Sequence, residues 1–106
     1  MINPRSKQET ELLGALTMVE AYILFKVSSA TEREVSKQIA DFDEVLMAGI
    51  IYGEYDVIAK ISVPNMQALE EFLSVKLRKV PSVILTSTMI VAQEYKGKTQ
   101  RNKQKP

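Results

Sequence analysis

The chain has 106 residues, enough for one domain, with 45% hydrophobic and 25% charged residues and a net charge of +1. That balance excludes a wholly disordered chain, and no apolar run reaches the ~18–20 residues of a membrane span. Cys and His are both absent, which removes disulfides, thiol nucleophiles, the usual zinc ligands and the common acid–base triads.

The four glycines stand too far apart for a phosphate loop, and no aspartate-rich calcium loop occurs. No metal and no cofactor is expected. The N-terminus lacks the basic-then-apolar layout of a signal peptide, so a cytoplasmic protein with no membrane partner is the expectation. The charge is uneven along the chain. From Lys96 onward there are five positive residues and no negative one, whereas residues 1–95 hold nine positive and thirteen negative.

Residues 1–18 show only an interrupted helical pattern in Leu12, Leu13 and Leu16 and read as an arm or short helix. "VEAYILFKV", 19–27, reads as a strand, with Ala21, Ile23, Phe25 and Val27 on one face and Tyr22, Leu24 and Lys26 on the other. The period then changes. Val35, Ile39 and Phe42 fall at helical spacing, and Thr31 with Glu34 has the spacing of a capping box, with Ser29 and Glu32 as an alternative start, which predicts a helix over about 31–41.

"EVLMAGIIY" and "YDVIAKISV" predict paired strands over about 44–52 and 55–63, joined by a two-residue Gly53-Glu54 turn of type II′. That register sets Tyr52 against Tyr55, Ile50 against Val57, Ala48 against Ala59 and Leu46 against Ile61. Asn65 predicts a helix N-cap, and Met66, Leu69, Phe72, Leu73, Val75, Leu77 and Val80 supply a broad apolar stripe that ends at Pro81. "SVILTSTMIVAQEY", 82–95, predicts the last strand, with Val83, Leu85, Met89 and Val91 alternating with Ile84, Thr86, Thr88 and Ile90. "GKTQRNKQKP", 97–106, predicts a solvated, disordered basic tail, with a phosphate-binding arm as the alternative reading.

The order β-α-β-β-α-β is the α+β, ferredoxin-like plan: a four-stranded antiparallel sheet with both helices on one face. The other face carries Tyr22, Leu24, Met47, Ile51 and Ile58. A monomer would leave it as a large apolar patch, so a dimer with sheets face to face is expected.

Asp56 has two readings. As turn chemistry it caps nearby backbone. As a ligand group it is an acid on the less polar face of a hairpin that needs a counter-charge, such as an ammonium group, Lys60 or Arg78. Thr86, Ser87 and Thr88 likewise serve either strand propensity or hydrogen bonding to a polar ligand.

The segments "EAYILFKV", "YGEYDVIAKISV", "LEEFLSVKLRKVPSV" and "TSTMIVAQEYK" together resemble the effector-binding (RAM) domain of the leucine- and asparagine-responsive regulators, Lrp/AsnC, over residues 19–96. The resemblance implies sheet-to-sheet dimers that assemble further, commonly as octamers, and an amino-acid effector bound between dimers near the G-x-Y-D hairpin. By that motif Gly53, Tyr55 and Asp56 are ligand-site candidates, with Thr86 and Thr88 carried over from the last strand.

Only 18 residues precede the first strand in this sequence, too few for a three-helix DNA-binding unit. The expectation is therefore a stand-alone, non-enzymatic amino-acid-sensing domain that acts by homo-oligomerisation or by joining full-length family regulators. No direct sequence-specific DNA binding is expected. The alternatives are an assembly module without a ligand, and a cofactor-free monooxygenase-like enzyme on the same fold.

Overall fold

The computed structural model describes residues 18–103. Apart from Met18, the expected N-terminal arm lies outside the described residues, as do the last three residues of the basic tail. Strand β1 spans Val19–Val27, helix α1 Glu32–Ala40, strand β2 Val45–Ile50, strand β3 Val57–Val63, helix α2 Met66–Glu71 and strand β4 Val83–Ile90. A short helix α3, Lys98–Lys103, follows. The tail predicted to be disordered thus carries helical backbone over these six residues.

The four strands form one antiparallel sheet in the order β2-β3-β1-β4, the ferredoxin-like arrangement. The alternation read in the sequence places the core. Ala21, Ile23, Phe25 and Val27 of β1 and Val57, Ala59, Ile61 and Val63 of β3 are buried under the helices. Val35 and Ile39 of α1 meet them from above, with Leu69 of α2. Phe42 and Phe72 pack edge to face, ring centroids 5.5 Å apart.

Helix α2 starts as predicted, with the Asn65 side chain accepting from Ala68 N at 2.8 Å. It then widens into a π turn, Phe72–Lys76, and tightens into a 3₁₀ turn, Leu77–Lys79. The amide of Leu77 bonds to the carbonyl of Phe72, five residues back, and both side chains are buried. Met66 and Val75, read as part of the apolar stripe, are exposed.

Two strands depart from simple alternation. In β2 a bulge opposes Val45, not Leu46, to Ile61, and Leu46 turns outward; Ala48↔Ala59 and Ile50↔Val57 pair as predicted. In β4 a second irregularity pairs Lys26 with Leu85 but Val27 with Val83. Ile84 is the extra residue, so Val83 joins the Thr86, Thr88 and Ile90 face instead of that of Leu85 and Met89. The capping box at α1 does not form, because the Thr31 hydroxyl donates to Ser28 O at 2.6 Å.

The hairpin also differs from the predicted tight turn. The last β2–β3 hydrogen bond runs from Ile51 N to Asp56 O, 2.9 Å, which leaves Tyr52 to Tyr55 as a four-residue loop. Tyr52 is fully exposed, whereas Tyr55 is half-buried with its ring 6.0 Å from Lys26 Nζ, so the expected tyrosine pair is absent. Gly53 has φ of 142°, which glycine tolerates but which is far from a type II′ corner. Asp56 N donates to Phe25 O at 2.9 Å, and Asp56 Oδ2 accepts from Val27 N at 2.9 Å.

The sheet face away from the helices carries Tyr22, Leu24 and Lys26 of β1, Ile58 and Lys60 of β3, Met47 of β2, and Leu85 and Met89 of β4. Met47, Leu85 and Met89 are exposed. Lys60 stands among them and donates to Glu94 Oε1, 3.6 Å from Glu20 Oε1 and 5.4 Å from the centre of the Tyr22 ring. The Glu94 hydrogen bond, with the Glu20 charge behind it, holds Lys60 above its ordinary value of 10.5 against the opposing effect of burial. The same hydrogen bond and the charges of Lys60 and Lys96 hold Glu94 below the ordinary 4.5. This ties the segment after β4 across β1 to β3.

Asp56→Ala removes the acceptor for the Val27 amide and should lower unfolding stability by about 1–3 kcal/mol, whereas Asp56→Asn keeps an oxygen acceptor and should lose less. Urea titration of both variants checks the difference. The depressed Glu94 group contributes stability above its unfolded pKa that is lost as pH falls through its folded pKa. The raised Lys60 group contributes below its unfolded pKa and is lost as pH rises through its folded one. The tie is therefore complete between about pH 4.5 and 10.5. In an NMR titration Lys60→Met should return the Glu94 carboxyl to the ordinary range, and an unchanged midpoint would contradict the pairing.

Candidate functional site

One end of the sheet gathers the polar groups. The alternating chain direction brings the end of β1, the start of α1, the β2–β3 hairpin and the start of β4 to that end. There Ile50, Val57, Phe25 and Thr86 form one row across the four strands. Two clefts open beside this row.

The first cleft has a volume of about 450 Å³ and lies between the hairpin and the start of α1. Asp56, Glu32 and Arg33 supply its charges, Ile50 and Ile51 its apolar wall, and Tyr52 its rim. Asp56 is held in place by the contacts of its backbone and of Oδ2, while Oδ1 accepts no hydrogen bond from the described residues. Glu32 and Arg33 make no ion pair among the described residues. Ala30, in the β1–α1 turn, lines the same cleft with φ of 67°, a left-handed conformation that costs a residue with a Cβ roughly 1–2 kcal/mol. That strain lies beside the three charges, where functional sites often keep it.

The second cleft, about 460 Å³, lies between the α2 extension and β4. It is lined by Leu73, Leu77, Val80, Val83 and Thr86, with Arg78 as its one charged residue. It offers an anion a partner but has no acid for an ammonium group. The first cleft has both signs within one space, the arrangement a zwitterion requires: carboxylates accept from an ammonium, and a guanidinium forks onto a carboxylate.

The predicted site residues therefore divide. Asp56 lines the first cleft, with Gly53 and Tyr55 in the adjoining loop, and Thr86 lines the second. Thr88 pairs with Ile23 one step further along β4 and is half-buried. Within one protomer the two threonines are not brought to Asp56. Of the counter-charges weighed for Asp56, Lys60 is engaged with Glu94 and Glu20, and Arg78 lines the other cleft. Glu32 and Arg33 were not anticipated. The signal for them was topological, since a right-handed crossover starts α1 at the end of the sheet where the hairpin turns.

Comparison with known proteins places this architecture. The sequence model described as the Lrp/AsnC ligand binding domain matches residues 20–101. The HTH-type transcriptional regulator FL11 of Pyrococcus abyssi is 34% identical over 80 residues, covering 76% of this chain and 52% of that protein. The chain thus spans about half the length of the curated relatives it matches. A hypothetical protein from Pyrococcus horikoshii has a crystal structure that superposes with a TM-score of 0.67 at 39% identity, over 73% of this chain and 93% of that one. A transcriptional regulator from Neisseria meningitidis in complex with L-Met shares the fold, with a TM-score of 0.68 at 22% identity over 92% of this chain and 62% of that one. Sequence and architecture agree, and the chain belongs to the Lrp/AsnC family as a ligand-binding domain of the kind carried by its transcriptional regulators.

Proposed function

We propose that the chain is a non-enzymatic amino-acid-sensing domain whose effector sits in the cleft at Asp56. The observation that carries this reading is the juxtaposition of Asp56, Glu32 and Arg33 beside an isoleucine wall. Asp56 Oδ1 and Glu32 accept from the α-ammonium, Arg33 holds the α-carboxylate, and Ile50 and Ile51 face the side chain. Family membership supports a regulatory role, and L-Met in the Neisseria meningitidis regulator supports an amino acid as ligand class. Gly53 and Tyr55 shape the loop that bounds the cleft. Thr86 and Thr88 reach the ligand only from a neighbouring protomer.

The apolar sheet face with Met47, Leu85 and Met89 pairs with that of a second copy or of a full-length family regulator, and dimers assemble further, as in an octamer. Such a domain acts in the cytoplasm and reads no DNA sequence itself. Effector binding between dimers shifts the assembly, because a ligand shifts an equilibrium only by binding one state better than the other.

Calorimetry against the twenty common amino acids tests the reading. At least one should bind saturably, and Asp56→Asn and Arg33→Ala should each weaken it roughly ten-fold or more, since a charge-assisted hydrogen bond contributes about 1.5–3 kcal/mol. Asp56→Asn is the informative variant because it retains an acceptor for Val27. No heat from any amino acid at millimolar concentration would contradict the proposal and favour an assembly module without a ligand.

A further inference from the structure

No described residue of the basic C-terminal segment lines either cleft. Residues 96–106 carry Lys96, Lys98, Arg101, Lys103 and Lys105, with no acid. Nor do they carry an aliphatic or aromatic side chain other than Pro106. Helix α3 therefore has no apolar face to bury, and every described residue from Ala92 to Asn102 is exposed. Six residues are too few for a helix to persist alone in water. Arg101 N bonds to Gly97 O at 3.1 Å, and Arg101 Nη1 donates to Lys96 O at 2.9 Å. This fold-back seats the Arg101 guanidinium on the Lys96 carbonyl. Like charges three residues apart, such as Lys98 and Arg101, disfavour a helix. A polyanion relieves that repulsion.

The segment also starts from a fixed place. Val91 N bonds to Glu20 O at 2.8 Å, and Glu94 pairs with Lys60 on β3, so the chain is pinned to the sheet just before the cations begin. The body before Lys96 carries an excess of four negative charges, which turns a phosphate backbone away from the sheet and toward the tail.

We infer that residues 96–106 form a phosphate-binding arm for duplex DNA, engaged without base readout. The chemistry selects among polyanions. A membrane-surface helix needs an apolar face, and α3 has none. Single-strand binders use aromatic platforms, and no aromatic residue follows Tyr95. Regularly spaced duplex phosphates need only cations, and a sheet-paired dimer would present two such arms.

The test is fluorescence anisotropy of a labelled duplex of about 20 base pairs of arbitrary sequence, titrated with the full chain between about 25 and 200 mM salt. The expected result is binding at low salt that falls linearly in log–log form, with a slope near −4.5 for one arm's five cations at about 0.9 each. A variant with Lys98→Gln, Arg101→Gln, Lys103→Gln and Lys105→Gln should lose affinity at least ten-fold at low salt and flatten the slope to about −0.9. Its sedimentation and thermal unfolding should match the parent, because Lys98 and Arg101 are exposed and the buried core is built from other elements. The inference is overturned if the parent leaves the duplex free at the lowest salt or if the variant binds as the parent does. Tighter binding to a single strand or to anionic vesicles than to the duplex would overturn it as well. Amino-acid binding at Asp56 is unaffected by any of these outcomes.

Discussion

Everything at the candidate-site end of this domain depends on how Asp56 is held. Its amide bonds to β1 at Phe25, its carbonyl closes the hairpin to Ile51, and its carboxylate accepts the Val27 amide beyond the last β1–β3 rung. Three segments separated in sequence are thus joined through one residue. A carboxylate has two oxygens and about four acceptor sites. The Val27 bond uses one of these and, in doing so, orients the group. The other oxygen remains for a cation. Turn chemistry and ligand binding are therefore not competing readings of Asp56, since the structural bond fixes the geometry that a ligand bond would use.

The sheet divides the rest of the molecule into two environments. Toward the helices, the alternating residues of β1 and β3 make a core with no buried charge among the described residues. Away from them, apolar side chains surround Lys60, whose side chain is only 16% exposed even within one protomer. Covering that face would strip water from Lys60, Glu20 and Glu94 together. A charge so enclosed is tolerated only when paired, and removing one partner leaves the other uncompensated. The cluster accordingly restricts what can pair with this face to surfaces that leave the Lys60–Glu94 pair intact. Glu94 of the same pair lies two residues before Lys96, so the basic segment starts from the outer face of the sheet.

Much of this was legible in the sequence, for identifiable reasons. Period-two burial in β1 and β3 follows from residues such as Ile23, Phe25, Val57 and Ile61, and the βαββαβ order follows from the change of period at Thr31 and Asn65. The bulges were not legible. "EVLMAGII" and "SVIL" are nearly continuous apolar runs, so no polar residue fixes which alternate side chain faces inward, and inserting Leu46 or Ile84 has no compositional signature. The hairpin register was right at Ile50 and Ala48, but the loop type was set by the backbone contact of Asp56 with β1, a tertiary bond that local turn preference does not contain. Thr31 found a nearer acceptor in Ser28 than a capping role. In the candidate site, the motif gave Asp56, whereas Arg33 and Glu32 belong to it only because the crossover delivers α1 to the same end.

We propose that an amino acid is held by Asp56, Glu32 and Arg33 within one cleft. Amide chemical-shift mapping of the isotopically labelled protein against the amino acids tests it residue by residue. The bound amino acid should perturb Ala30, Arg33, Ile51 and Asp56, together with the Val27 amide that shares the Asp56 carboxylate. Perturbations confined to Arg78, Val83 and Thr86 of the other cleft, with the Val27 and Asp56 signals unmoved, would contradict it.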